Sequence, residues 1–229
     1  MLRTTPMFHA VTGEVHTLSL PFRMGAFDLG GRMTVIRLPE GGLWVHSPVA
    51  CSPEARAAVD ELGPVRFLVA PNLMHHLRVG DWAAAYPEAK VVAPAGLRRK
   101  RPDLRVDVEL GSGPVAEGIE QVEVRGMPML DEFVFFHRPS GTVLLTDMAF
   151  NIHRTGSWLT KMYLKLNGAW QRLSPTFITK MVIKDRAAVR ASLDQVLAWD
   201  VKRVLVCHGD AVEQGAHEAL REAFQRLTK

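Results

Sequence analysis

Short apolar runs bounded by turn residues recur along this chain and alternate with stretches of helical spacing. Met33–Leu38 and Leu43–Ser47 flank Pro39–Gly42, a hairpin signature whose glycines accept the positive φ that a tight turn needs. Ser52 and Pro53 open a helix, with Pro53 suited to its first turn and Gly63 to its stop. Val65–Ala70 reads as a buried strand, Leu77–Tyr86 as a helix and Lys90–Ala93 as another strand. In the second half Ile119–Val124 alternates, and Phe133–Phe136 pairs with Thr142–Thr146 across the turn His137–Gly141. Asp185–Trp199 is an amphipathic helix capped by Asp185, Lys202–Cys207 a strand and Ala211–Leu227 a closing helix. Residues 154–184 are less regular, with Trp158, Met162, Tyr163, Leu166 and Trp170 at roughly helical spacing.

Hairpins interleaved with helices predict a layered α/β architecture with mixed sheets, not a doubly wound fold. No internal repeat and no Gly/Ser/Pro-rich linker divides the chain, so residues 1–229 are expected to form one domain, with 154–184 as a helical lid or insert. Composition agrees: 47% hydrophobic and 23% charged residues exclude a disordered or fibrous chain. The two cysteines, Cys51 and Cys207, fall outside any CxxC pair, which excludes a disulfide framework, a zinc ribbon and a redox pair. Cys207 beside His208 is a weak candidate for thiol chemistry, since it ends a strand and is expected to be buried. Met1–Pro21 lacks the continuous apolar core of a signal peptide, and no apolar run is long enough for a membrane span. A cytoplasmic location is therefore expected.

Charge changes the picture more than composition does. The net charge of +4 is mild, but residues 98–105 carry +4 and residues 154–190 carry +7, leaving −7 on the rest. The larger basic segment interleaves Trp158, Tyr163, Trp170 and Phe177. Aromatics among cations can stack bases or lie on an anionic membrane surface. The preferred reading is plainer: amphipathic helices whose aromatic side packs on the fold and leaves lysine outside. A small anionic ligand is the expected partner, nucleic acid is disfavoured, and apolar positions exposed in the lid would suit a homodimer.

Candidate chemistry lies at strand ends. Val65–Ala70 runs into Pro71-Asn72 and then His75-His76, Thr142–Thr146 ends at Asp147, and Arg203–Cys207 ends at His208-Gly209. Sites in layered α/β folds gather beyond the carboxyl ends of strands, and imidazoles with one carboxylate are a usual shell for zinc or iron. His75 and His76 would diverge on a helix, so both can serve only if Pro71 and Asn72 make the segment a turn. Gly209 is read as letting the backbone pass close to a metal or substrate. The alternatives are a surface histidine pair, a helix-capping Asp147 and a buried, hydrogen-bonded His208.

The stretches Ala70–His76, Glu132–His137 with Thr146-Asp147, and Cys207–Asp210 resemble the metallo-β-lactamase-fold superfamily, and more closely its DUF4336 branch, over about Thr17 to Phe224. The resemblance implies an αββα sandwich of two mixed β-sheets flanked by helices. It matches the last histidine of the superfamily's His-x-His-x-Asp-His motif to His76, its bridging aspartate to Asp147 and its terminal histidine to His208. His75 stands where that motif has Asp, and Leu73 and Pro71 stand where it has its other histidines. The turn Gly126–Glu132 lacks the superfamily's middle histidine, and His46-Ser47 replaces an aspartate that often ends the hairpin. One metal subsite has therefore lost its histidines, which implies at most one zinc or iron ion, held by His75, His76, Asp147 and His208. Asp131 and Glu132 are the candidate catalytic base or shell-completing carboxylates, or else ordinary turn residues. The expected activity is a mononuclear metal-dependent hydrolase of a small anionic ester, lactone or thioester. The alternative is a metal-free descendant that binds small molecules or a protein partner through the old cleft.

Overall fold

The computed structural model describes residues 8–229; the first seven, part of the Met1–Pro21 stretch read above for a signal peptide, lie outside them. In chain order the elements are β1 (His9–Ala10), β2 (Val15–Leu20), β3 (Arg23–Met24), β4 (Phe27–Asp28), β5 (Gly31–Arg37), β6 (Leu43–His46), α1 (Pro53–Asp60), β7 (Val65–Val69), α2 (Val79–Ala85), β8 (Lys90–Ala93) and α3 (Gly96–Lys100). There follow β9 (Val108–Glu109), β10 (Ile119–Glu123), β11 (Phe133–His137), β12 (Thr142–Leu145), α4 (Trp158–Leu166), α5 (Phe177–Met181), α6 (Arg186–Leu197), β13 (Arg203–Val206) and α7 (Ala216–Thr228). They fall into two compact units. The first comprises the residues up to Leu20 together with Arg32–Gly118; the second comprises Pro21–Gly31 and Ile119–Lys229.

The first unit is built on a mixed seven-stranded sheet in the order β1-β2-β5-β6-β7-β8-β9. β5 and β6 pair as the predicted antiparallel hairpin, and β6 through β9 run parallel. Val35, Val45, Leu68 and Val91 face Val59 of α1 and Val79 and Trp82 of α2 in one apolar core. Ser52 caps α1 by accepting from the backbone N–H of Ala55 at 3.1 Å, with Pro53 in its first turn as the sequence indicated. The indole of Trp82 donates to the Val49 carbonyl at 2.7 Å, which satisfies its one polar atom inside that core.

The second unit holds a four-stranded sheet, β10-β11-β12-β13. β10, β11 and β12 are antiparallel, and β13 lies parallel to β12 with Leu145 opposite Val206. Val143, Leu145, Val204 and Val206 pack against Val189, Leu193 and Val196 of α6 and Leu220, Phe224 and Leu227 of α7. Asp185 caps α6, accepting from the N–H of Ala188 at 3.0 Å. The parallel register matters for function: two residues beyond Leu145 stands Asp147, and two beyond Val206 stands His208.

Two mixed sheets with flanking helices are the architecture expected. Differences arise where local signals are short or polar. β2 escaped notice because His16, Thr17 and Ser19 interrupt its apolar residues, yet His16 and Thr17 are buried. α7 begins at Ala216, not Ala211, because Val212 exchanges both backbone hydrogen bonds with Val204 at 2.9 Å and Gly215 turns the chain at a φ of 60°.

Residues 154–184 form α4 and α5, joined through Asn167. Its side chain donates to the Tyr163 carbonyl at 2.7 Å and accepts from the N–H of Phe177, also at 2.7 Å. The expectation that the aromatic side of this segment packs inward holds only in part. Tyr163 and Trp170 lie against Leu29, Phe150, Ile152 and Leu164, whereas Trp158 is 70% exposed.

Candidate metal centre

In the first unit, β7 delivers the chain into a turn at Pro71. Asn72 is wholly buried, and its side-chain carbonyl accepts from the N–H groups of Met74 at 2.8 Å and His75 at 2.7 Å. This Asx turn keeps residues 73–76 out of helix until α2, which is the local geometry that adjacent histidines needed. His75 is half-buried, and its Nδ1 shares a hydrogen bond of 2.7 Å with the hydroxyl of Ser47. Ser47 follows β6 in a left-handed conformation, with a φ of 51° that a non-glycine residue rarely adopts. This contact sets the orientation of the His75 ring within the first unit.

His76 has different surroundings. Its Nδ1 lies 3.3 Å from the guanidinium of Arg101, an obligate donor, so the lone pair on that nitrogen is taken up by the protein. Burial, together with the charges of Lys100 and Arg101, lowers its pKa. Arg101 is itself gripped by Asp103 at 2.6 Å. A histidine facing two cations on its own unit is a poor place to add a third. At the end of β6, His46 is 1% exposed and stacks on Trp44 with ring centres 5.4 Å apart. Burial and then the charge of His75 push its pKa down to about 3, so it is neutral at ordinary pH.

In the second unit, Asp147 and His208 leave adjacent parallel strands at the same end. Nδ1 of His208 donates to the carbonyl of Gly30 at 2.7 Å, which places the lone pair on Nε2. That Nε2 lies 3.9 Å from an Asp147 carboxylate oxygen, longer than a hydrogen bond. Phe150 and Phe22 flank the ring at centroid distances of 4.6 and 6.1 Å and restrict its swing. A backbone carbonyl holding the far nitrogen of an imidazole is the usual outer support of a metal-ligating histidine. The donor set on this unit therefore suits a borderline cation such as zinc or iron.

Asp131 and Glu132 have unlike surroundings. Asp131 is half-buried with a φ of 49°, its N–H donating to the Met127 carbonyl at 3.0 Å in the turn before β11. Glu132 is wholly buried and accepts a hydrogen bond from the hydroxyl of Thr146, the residue before Asp147. It braces the end of β12 rather than facing solvent. Gly209 also differs from its reading. At a φ of 113°, a β-carbon there would lie 2.1 Å from the Asn151 carbonyl oxygen, so the close approach is to protein backbone and not to a ligand.

Sequence reasoning missed Ser47 as a support and the Gly30 carbonyl as the anchor of His208. Neither carries a local signal: serine is not a left-handed residue by preference, and Gly30 lies 178 residues from His208.

Residues 13–96 match the model of a family described as a domain of unknown function, DUF4336. No curated protein matches the chain in sequence. Among solved structures, a metallo-β-lactamase from Pontibacter korlensis is similar at a TM-score of 0.63 and 13% identity, covering 96% of this chain and 99% of that one. The metallo-β-lactamase FIM-1 from Pseudomonas aeruginosa, in its mono-zinc form, gives 0.63 at 14% identity, with 98% and 97% covered. The metal-soaked flavodiiron core Flv1 from Synechocystis sp. PCC6803 gives 0.68 at 10% identity, covering 97% of this chain and 61% of that one. At these identities the likeness is one of fold.

Proposed function

This chain has the metallo-β-lactamase fold, with a DUF4336 match over residues 13–96, and we propose that it is a mononuclear metal-dependent hydrolase. In this reading Asp147 and His208 of the second unit are ligands, and His75 is the further ligand that the sequence offers. The observation that carries it is the anchoring of His208: its Nδ1–H donates to the Gly30 carbonyl, and its Nε2 stands 3.9 Å from a carboxylate oxygen of Asp147. A plain structural histidine–aspartate pair would close to about 2.8 Å. The Ser47 hydroxyl holds Nδ1 of His75.

A zinc or iron ion held by these side chains would activate water near neutral pH and polarise a carbonyl. The residues of the chain do the rest. The Gly30 carbonyl fixes His208 in the tautomer that presents Nε2, Ser47 holds the ring of His75 through its Nδ1, and Glu132, through Thr146, steadies the strand end that carries Asp147. Asp131, half-buried in its turn, is the carboxylate that this reading assigns to moving a proton. Thr179 donates to the Asp147 carbonyl at 2.9 Å and so ties α5, with Lys180, to the residue that would bind the ion. A positive neighbour of that kind favours a small ester, lactone or thioester bearing a carboxylate or phosphate.

The test is elemental analysis of protein purified without chelator and then offered zinc, manganese or iron. About one equivalent of ion per chain is expected in the parent and under about a tenth in His208→Ala and Asp147→Ala, because loss of one of three protein ligands removes most of the affinity. Hydrolysis of anionic esters, lactones and thioesters should then rise with metal content. No ion retained by the parent after loading would overturn the reading and return the chain to metal-free binding.

A further inference from the structure

The second unit exposes a run of large apolar side chains that its own core does not use. On α4, Trp158, Met162 and Leu166 are 70%, 46% and 81% exposed and, four residues apart, form one stripe. On α5, Phe177, Ile178 and Met181 are 59%, 48% and 62% exposed. Asn167 bonds the end of α4 to the start of α5 through both its amide groups, so the two sets adjoin. Lone exposed apolar residues are ordinary, but six on two linked short helices are not.

The charges around this patch identify what covers it. From Met148 to Lys184 the sequence holds no aspartate or glutamate. Lys161 and Lys165 precede Met162 and Leu166 on α4 and so line one edge of the stripe, and Lys180 and Lys184 stand on and just beyond α5. Lys161 is steadied there by the Trp170 ring, 5.3 Å from its ammonium. A second copy of the chain fits poorly, because a two-fold interface sets each cationic face against its own like. A protein partner is also disfavoured, since protein interfaces are poor in lysine and rich in arginine. Lysines on long stems beside Trp, Leu, Met and Phe are the composition of helices that lie in the headgroup layer of an anionic bilayer.

We propose that the exposed face of α4 and α5 is a docking surface for anionic lipid bilayers, with the six apolar side chains entering the headgroup layer and the lysines meeting lipid phosphates and carboxylates. The protein is peripheral in this arrangement; among the described residues no helix is long and apolar enough to cross a membrane. The inference is independent of the metal reading, because its readout requires neither ion nor turnover.

Sedimentation of the full chain with vesicles tests it. Phosphatidylcholine vesicles containing phosphatidylserine should carry the protein down, pure phosphatidylcholine should not, and raised salt should release it. Lys165→Ala with Lys184→Ala should weaken binding about 25-fold, about fivefold for each lysine near an anionic surface. Trp158→Ser with Leu166→Ser should abolish it, and both double variants should melt like the parent because all four side chains are exposed. Equal sedimentation with both vesicles, none with either, or an unaffected lysine variant would each overturn the proposal. Retention on immobilised poly-glutamate without vesicle binding would assign the face to an acidic protein instead. A parent dimer dissolved by Leu166→Ser would assign it to self-association.

Discussion

The hydroxyl of Ser47 and Nδ1 of His75 stand 2.7 Å apart, and the serine that makes this contact is held at a φ of 51°. A left-handed serine is strained by roughly 1–3 kcal/mol and persists only where its surroundings fix it. Glycine would relieve that strain while deleting the hydroxyl. Ser47→Gly should therefore stay within about 1 kcal/mol of the parent in stability, since the relief is offset by glycine's greater freedom when unfolded. Its metal affinity should nevertheless fall about 10–100-fold, the usual cost of losing an outer-shell partner. Chemical denaturation and competitive metal titration read the two quantities separately. Unchanged affinity would show that His75 needs no such support or is not a ligand.

Gly209 gives a prediction of the opposite kind. A β-carbon there would sit 2.1 Å from the carbonyl oxygen of Asn151, whose N–H donates to the His208 carbonyl at 2.9 Å while its oxygen accepts from Asp210 at 2.7 Å. The contact is with backbone, so no side chain can swing aside. Gly209→Ala should cost more than about 3 kcal/mol, well beyond an ordinary surface substitution, or leave the protein insoluble. Thermal melting measures it, and a variant that melts within a degree or two of the parent would contradict the packing described.

What could be read from the sequence and what could not divide along a physical line. Asp147 and His208 were legible because each ends an apolar run, and burial of such a run needs no knowledge of its partners. Their juxtaposition was not, because it depends on the parallel register of Leu145 with Val206, set by the packing of α6 and α7 on the sheet. The turn at His75 was legible from Pro71 and Asn72, whose side chain does supply the hydrogen bonds. The diversion of His76 was hidden, since it is Arg101, 25 residues further on, that occupies its Nδ1. The exposure of Trp158 was misjudged for a related reason. An aromatic at helical spacing reads as core, and only the placement of Tyr163 and Trp170 around Leu164 shows which side of α4 is inward.

Glu132 and Thr146 are both wholly buried, and the threonine hydroxyl donates to the carboxylate. Thr146→Val keeps the shape of the side chain and removes the donor, leaving a buried acceptor short of a partner at a cost of about 1–3 kcal/mol. Because the next residue is Asp147, metal affinity should decline as well. If Glu132 were instead a solvent-facing base, Thr146→Val would leave stability untouched and change only the rate of turnover. Urea denaturation of the parent and the variant separates these outcomes.

Acid should loosen the first unit before the carboxylates titrate. His46 is 1% exposed, and burial followed by the nearby His75 lowers its pKa from 6.5 to about 3. The unfolded chain therefore binds more protons than the folded one between those values, and stability rises with pH across that window. The neutral imidazole's contribution is fully present above about 6.5 and is lost as pH falls toward 3. His76 and His16, whose pKa values burial also lowers, act in the same direction. Melting temperatures of chelator-treated protein should drop steadily from about pH 7.5 to about pH 5, above the range in which ordinary carboxylates protonate. His46→Gln, which cannot be charged, should start lower for want of the Trp44 stacking contact but decline less steeply. Parallel decline in parent and variant would mean that His46 takes up a proton without unfolding, and that the buried end of β6 admits water.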